Sequence, residues 1–295
     1  MHRALVTTSY SIVIDSPSDF PKHLEEQHEV FVVPARVIIG KTNYADGVGI
    51  TREKILHELV NSKEDIRSQE APPGNFLEVF EKAMEVSDHI LYIGISHKLS
   101  KSYFSAEVAA RKFRGRITLI DTLNISHGVT MMAHHALLRR EQGMELAPLV
   151  NEIREMINNT RVYVLVEELK YLYKGGRIGR AQQTIGSLLN MKPLLHLVDG
   201  ELDALMSIRG AKAGYQFMAE KAEEHAQEFG NFALSGSYGS DNQKFEKLSN
   251  SLNEKLKPLS YHYESIGPAV SCNVGPKVEA FFITKLPEDS ADLYK

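Results

Sequence analysis

Gly175, Gly176 and Arg177 form the most chemically suggestive triplet of this chain, within residues 168–195, ELKYLYKGGRIGRAQQTIGSLLNMKPLL. Consecutive glycines let a backbone turn tightly and expose its N–H groups, as an anion-binding loop requires. Arg177 adds a rigid fork of donors suited to a carboxylate or a phosphate. The same residues also suit a helix C-cap, with Gly175 or Gly176 in the left-handed conformation. Both readings stand at this point, and the frequency with which glycine ends helices favours the cap.

A second concentration of polar groups follows the apolar run ILYIGI. Ser96, His97, Ser100 and Ser102 fall at the start of the next helical pattern, where free N–H groups and the helix dipole favour an anion. Serine capping alone accounts for one of these hydroxyls more readily than for the whole group. Asp15-Ser16 and Asp121-Thr122 also follow apolar runs, and ligands of open α/β sheets bind beyond such carboxyl ends. Nucleotide motifs are missing: there is no G-x-x-x-x-G-K-S/T loop and no G-x-G-x-x-G after the first strand. GISHK around Ser96 lacks the second glycine of a nucleophile elbow. Ser96 and His97 are adjacent at a helix start, so their side chains diverge and make a poor nucleophile–base pair. His134-His135 lies mid-helix with no third metal ligand apparent, so one ring is expected against the core and the other in solvent.

The elements that must position these groups alternate in the first half. Strands are expected at 11–14, 30–34, 37–39, 43–45, 90–95 and 117–120, and helices at 51–61, 76–86, 103–113 and 127–142. Thr51 opens the first of these helices as a capping box with Lys54 in the usual acidic position. Continuous apolar strands between helices imply a parallel sheet covered on both faces. The second half has strands at 162–166, 194–198, 204–208, 232–237, 261–266 and 278–284, with helices at 182–190, 211–229 and 244–256. Asp199-Gly200 marks a hairpin. The expected architecture is therefore α/β: an N-terminal parallel-sheet α/β/α domain, residues 1–160, and a C-terminal α+β domain, residues 161–295, with a mixed or antiparallel sheet. No Pro/Gly/Ser-rich linker separates them, so close contact is expected.

The 295 residues suffice for two cored domains, and 43% hydrophobic with 24% charged residues is ordinary for a globular protein. A net charge of −4 without a basic tract argues against nucleic-acid binding. The single cysteine, Cys272, excludes an internal disulfide framework. The N-terminal apolar run is too short for a signal peptide and no run is long enough to span a bilayer, so a cytoplasmic protein is expected.

Several stretches, in order from about residue 11 to 284, resemble the DegV family. IVIDSPSDFP is similar to its opening I-V-T-D-S-x-x-D-L-P, and SQEAPPGNF to T-S-Q-P-S-P-G-E-F. SHKLSKSYFSA resembles S-S-x-L-S-G-T-Y-x-S-A. YLYKGGRIGRA with LLNMKPLL resembles Y-L-x-K-G-G-R-I followed by L-L-x-I-K-P-I-L. VVPARVIIGKTNYADGVGI and IRGAKAG match two further segments. The resemblance implies a bacterial fatty-acid-binding protein without a nucleotide site, cofactor or metal. The acyl tail would be buried in the C-terminal domain and the carboxylate held in the interdomain cleft. Family members are similar to carrier subunits that present the fatty acid to a separate ATP-dependent kinase, which makes an acyl phosphate for phospholipid synthesis.

Carried over residue by residue, Ser68 takes the place of the family's binding Thr and Ser96 that of the first Ser of its second motif. Arg177 and Arg209 take the places of arginines that would stabilise a transferred phosphoryl group or dock the partner. The chain also departs from the pattern. His97 stands where a second Ser is expected, Lys101 and Ser102 replace Gly and Thr, Asn273 replaces a His, and Lys277 replaces a Gly. The expected carboxylate site is Ser68, Ser96, His97 and Asn273, with His97 substituting for the lost histidine. Ser100, Lys101, Arg177, Arg209 and Lys277 are expected head-group or partner contacts. Apolar residues available for the tail are Leu188, Leu189, Met191, Leu194, Leu195, Met206, Phe217 and Met218, which could equally form core. Two alternatives remain at this point: a sensing module for another acidic amphiphile, and a lipid hydrolase using Ser96 or Ser100.

Overall fold

The computed structural model describes residues 10–184 and 192–295. The first half runs β1 (Tyr10–Asp15), α1 (Lys22–Gln27), β2 (Phe31–Val33), β3 (Arg36–Ile39), β4 (Thr42–Ala45), α2 (Arg52–Asn61), β5 (Ile66–Gln69), α3 (Pro73–Met84), β6 (His89–Gly94), α4 (Ser102–Ala110), β7 (Ile117–Asp121), α5 (His127–Glu141) and α6 (Leu146–Asn158). The second runs β8 (Thr160–Val166), α7 (Lys170–Gly175), α8 (Ala181–Thr184), β9 (Lys192–Val198), β10 (Glu201–Ile208), α9 (Ala211–Phe229), β11 (Phe232–Tyr238), α10 (Gln243–Leu256), β12 (Ser260–Ser265), α11 (Pro268–Val274) and β13 (Val278–Lys285).

The apolar runs of β1 and β6 are buried on both faces and form, with β2 and β7, an all-parallel sheet of order β2-β1-β6-β7. Side-chain alternation sends Val13, Ile90 and Tyr92 to Phe76, Phe80 and Phe113 on one face. Ile12, Ile14, Leu91 and Ile93 meet Met132, Leu137 and Ile153 on the other. A small antiparallel sheet, β4-β3-β5, packs Val37, Ile39 and Ile66 against Ile55 of α2 and Ala269 and Cys272 of α11.

The six-stranded sheet has the order β10-β9-β8-β13-β11-β12, antiparallel except for the β11–β12 pair, and is therefore mixed. One face carries Tyr163, Leu165, Leu234, Phe281 and Ile283 against Met218, Phe245 and Leu252 of α9 and α10. The opposite face carries Val162, Val164, Val166, Ala280 and Phe282, and these join the core that contains Ile12, Met132 and Ile153. The largest core is thus shared by both halves of the chain.

Thr51 caps α2 as its motif implies, accepting from the Lys54 amide at 3.3 Å. Asp199 and Gly200 both take positive φ, 49° and 81°, as a two-residue hairpin turn between β9 and β10 requires. Four elements lie beyond the sequence expectation. Of these, α6 has a clear signal, with Leu149, Val150, Ile153 and Met156 buried on one face. The others, α1, β5 and α11, span 6, 4 and 7 residues, too short to establish a period. The helix expected at 182–190 falls largely outside the described residues, as do Leu188, Leu189 and Met191. Among the described residues, no helix is long and apolar enough to cross a membrane.

Candidate functional site

An open cavity lies between the shared-core face of the mixed sheet and the first half of the chain. Val164, Val278, Ala280 and Phe282 supply the sheet wall, and Ile95, Leu99, Ile125 and Ile266 close over it. Ser68, Gln69, Glu70, Ser100, Ser126, Arg177, Ser237 and Asn273 supply the polar part of the lining. Its walls thus come from both halves of the chain, rather than from the second half alone. Of the expected tail residues that are described, Leu194, Phe217 and Met218 pack on the α9/α10 side, and Met206 is exposed. Leu195 joins the shared core but is not on the cavity wall. The strand alternation decides this, since the cavity is on the face opposite α9.

Ser68 is placed by the pairing of β5 with β3, opposite Val37. Asn273 is on α11 and donates through Nδ2 to Ser68 Oγ at 2.7 Å and to Ala269 O at 2.9 Å. Two buried carboxylates, missed by the sequence reading, hold the start of α11. Asp19 accepts from the Gly267 amide at 2.9 Å, and Asp46 accepts from the Ala269 amide at 3.1 Å. Asp19 also accepts from Ser126, and Asp46 from Ser16. Burial pushes the Asp19 carboxyl up to about 7 and raises that of Asp46 as well. Asp19 follows the Asp15-Ser16 strand end, so a polar cluster was legible there, but its partner on residue 267 was not.

The glycine loop is a helix cap that presents an arginine. Gly176 has φ of 68°, and the Arg177 and Gly176 amides donate to Leu172 O and Tyr173 O at 3.0 and 3.1 Å. Gly175 packs against Asn273 so closely that any Cβ would overlap its Oδ1. Arg177 donates through Nε to Leu99 O at 3.0 Å and through Nη1 to Gly175 O. That fork ties the loop to the segment carrying Ser100. Ser100 Oγ lies 3.1 Å from Ser102 Oγ and accepts from the Ser102 amide at 3.2 Å.

Ser68, Asn273, Ser100 and Arg177 are therefore brought together on one cavity, while the other expected residues are not on its wall. Ser96 is buried and donates to Gly200 O at 2.8 Å, fixing the β9–β10 hairpin tip. His97 is held by Asp121 through Nδ1, with its ring edge-on to Phe104, because the Asp121 carboxylate at the end of β7 also accepts from the His97 amide. Lys101 and Arg209 are exposed, and Lys277 pairs with Glu167 at 3.1 Å. Neither member of His134-His135 is solvated. His135 is buried against Glu152 at 2.8 Å, and the His134 ring packs 5.8 Å from that of His28 and 5.6 Å from that of His262. Among the described residues, no group of three metal-ligating side chains has metal-site geometry.

A family model described as "Uncharacterised protein, DegV family" matches residues 9–286. A DegV domain-containing protein of Caldanaerobacter subterraneus is 30% identical over 274 residues, covering 92% of this chain and 97% of that protein. A DegV family protein from Thermus thermophilus, described for fatty acid binding, superposes with a TM-score of 0.87 at 30% identity, covering 94% of this chain and all (100%) of the other. DegV from Bacillus subtilis, described as a fatty acid binding protein, reaches the same TM-score of 0.87 at 22% identity, covering 94% of this chain and 99% of the other. By sequence, architecture and extent of match, the chain belongs to the DegV family.

Proposed function

We propose that the protein is a non-catalytic carrier that binds a long-chain fatty acid, with the tail in the cavity and the carboxylate at Ser68. The observation that carries this reading is a largely apolar cavity whose lining includes an oriented hydroxyl. Asn273 donates to Ser68 Oγ at 2.7 Å, so the Ser68 hydrogen is directed elsewhere and is available to a carboxylate. The fatty acid binding described for the Thermus thermophilus relative supports the same ligand class. In this reading the tail lies between an N-terminal domain, residues 1–160, and a C-terminal domain, residues 161–295, and the protein works in the cytoplasm.

The energetics suit such a division of labour. Each buried methylene contributes roughly 0.8 kcal/mol, about 12 kcal/mol gross for about fifteen carbons, against association costs of roughly 4–15 kcal/mol. The tail supplies affinity and a few polar groups fix the head. Neutral donors suit a buried carboxylate, because a fully charged pair in a cleft carries a large desolvation cost.

Arg177 lines the cavity and is half-exposed, a position suited to a phosphoryl group or partner at the mouth. We infer that the carrier presents the carboxylate there to a separate ATP-dependent kinase for acyl-phosphate formation in phospholipid synthesis. Lys101 and Arg209, both exposed, are assigned to the partner side rather than to the ligand. Ser96 commits its hydroxyl to Gly200, which counts against the hydrolase alternative.

Displacement of a fluorescent fatty acid by long-chain acids tests the binding. The wild type is expected to bind, and Ser68→Ala to bind about tenfold more weakly or worse, the effect of losing one hydrogen bond to a charged group. No displacement by any long-chain acid overturns the reading. Arg177→Ala is expected to bind lipid normally yet fail to support phosphorylation by a cognate kinase.

A further inference from the structure

β11 departs from its neighbours on the cavity side of the mixed sheet. Across that face, Val164 of β8 is registered with Ala280 of β13, and Ala280 with Ser237 of β11. In the next row Val162 is registered with Phe282, and Phe282 with Ser235. Strands lie about 4.8 Å apart, so the residues of each row are near neighbours on that face of the sheet. The two neighbouring strands meet the cavity with the apolar side chains of Val164, Ala280 and Phe282, whereas β11 meets it with Ser237.

The two serines have different fates. Ser235 Oγ is matched to Nδ1 of His127. Ser237 lines the cavity, is 1% exposed, and its hydroxyl has no hydrogen-bond partner among the described residues. The other nitrogen of His127, Nε2, is buried and also has no partner among the described residues, and that ring packs 5.9 Å from the ring of Phe282 on the cavity wall. Buried hydroxyls almost always find a partner, and an unpaired one is less favourable than an apolar side chain of similar shape.

We propose that the cavity is built for an acyl chain that carries a hydroxyl group, seated so that this hydroxyl pairs with Ser237. The proposal rests on the fatty-acid reading above and narrows it to a hydroxylated ligand. A hydroxyl can accept from Ser237 or donate to it, which satisfies the orphaned group in either sense. A second carboxylate fits less well. Burial pushes the neighbouring His127 imidazole down to about 3, so it is neutral at pH 7 and offers no counter-charge.

The test is competition binding of stearic acid and a positional series of monohydroxystearic acids, on the wild type and on Ser237→Ala. The wild type is expected to prefer the hydroxy acids over stearic acid by about tenfold within one window of hydroxyl positions. Ser237→Ala is expected to lose that preference and to bind stearic acid at least as well as the wild type, which also shows that the variant is folded. Equal affinity of the wild type for stearic acid and every hydroxy isomer overturns the proposal, as does a preference that survives in Ser237→Ala. Absence of binding by all of these acids overturns the fatty-acid reading itself and the proposal with it.

Discussion

Asn273 gives one amide hydrogen to Ser68 and the other to Ala269, so its part in ligand binding is to orient Ser68. Asn273→Ala is therefore expected to weaken fatty acid binding by about tenfold, while Ser68→Ala combined with it adds little, because the two act as one unit. A displacement titration of both single variants and the double checks this. Asn273 was legible in the sequence only through a resemblance, and its replacement of a histidine gave no hint that it would spend both hydrogens within the protein. His97 shows the opposite error: residue type suggested a head-group ligand, but the carboxylate at the end of β7 claims the ring. Imidazoles also set a pH dependence. Burial lowers His134 to about 3 and His262 to about 4, from 6.5 in an exposed chain. The unfolded state then binds more protons, so their stabilising contribution is full above about 6.5 and is lost as pH falls toward 4. His134→Gln is expected to lose less melting temperature than the wild type between pH 7 and 5, read by thermal melts.

Helix α11 links the buried acids to the cavity. Asp19 and Asp46 hold its first turn, its far end carries Asn273, and α7 packs Gly175 against that residue. Gly175→Ala is expected to displace Asn273 and reduce fatty acid affinity, with a small change in stability, as a titration and a melt together would show. Asp46→Ala leaves the Ala269 amide and the Ser16 hydroxyl without their acceptor, and should cost about 1–3 kcal/mol in urea unfolding. Asp19 behaves differently with pH. Its folded value of about 7 exceeds 3.8, so the native state binds the extra proton and stability is lost as pH rises through 7. Asp19→Asn is accordingly expected to be more favourable, relative to the wild type, at pH 8 than at pH 5. None of this clamp was legible, because α11 is 7 residues long and its partners are more than 200 positions away.

For the molecule as a whole, the class of architecture was legible and the location of the cavity was not. Periodicity identifies apolar strands and amphipathic helices, and these suffice for a parallel sheet beside a mixed one. Periodicity does not say which face of β8, β11 and β13 meets α5, and that choice puts Val164, Ala280 and Phe282 on the cavity and Leu194, Phe217 and Met218 away from it. The core joining Ile12, Met132, Ile153 and Phe282 also runs through both halves. Unfolding is therefore expected as one cooperative transition, with coincident curves by circular dichroism and tyrosine fluorescence. Native mass spectrometry of protein purified without added ligand tests the central claim most directly. A mass increment of one fatty acid per chain, released as free acid on extraction, is the predicted result. A bare chain that takes up no long-chain acid when it is supplied, plain or hydroxylated, would contradict it.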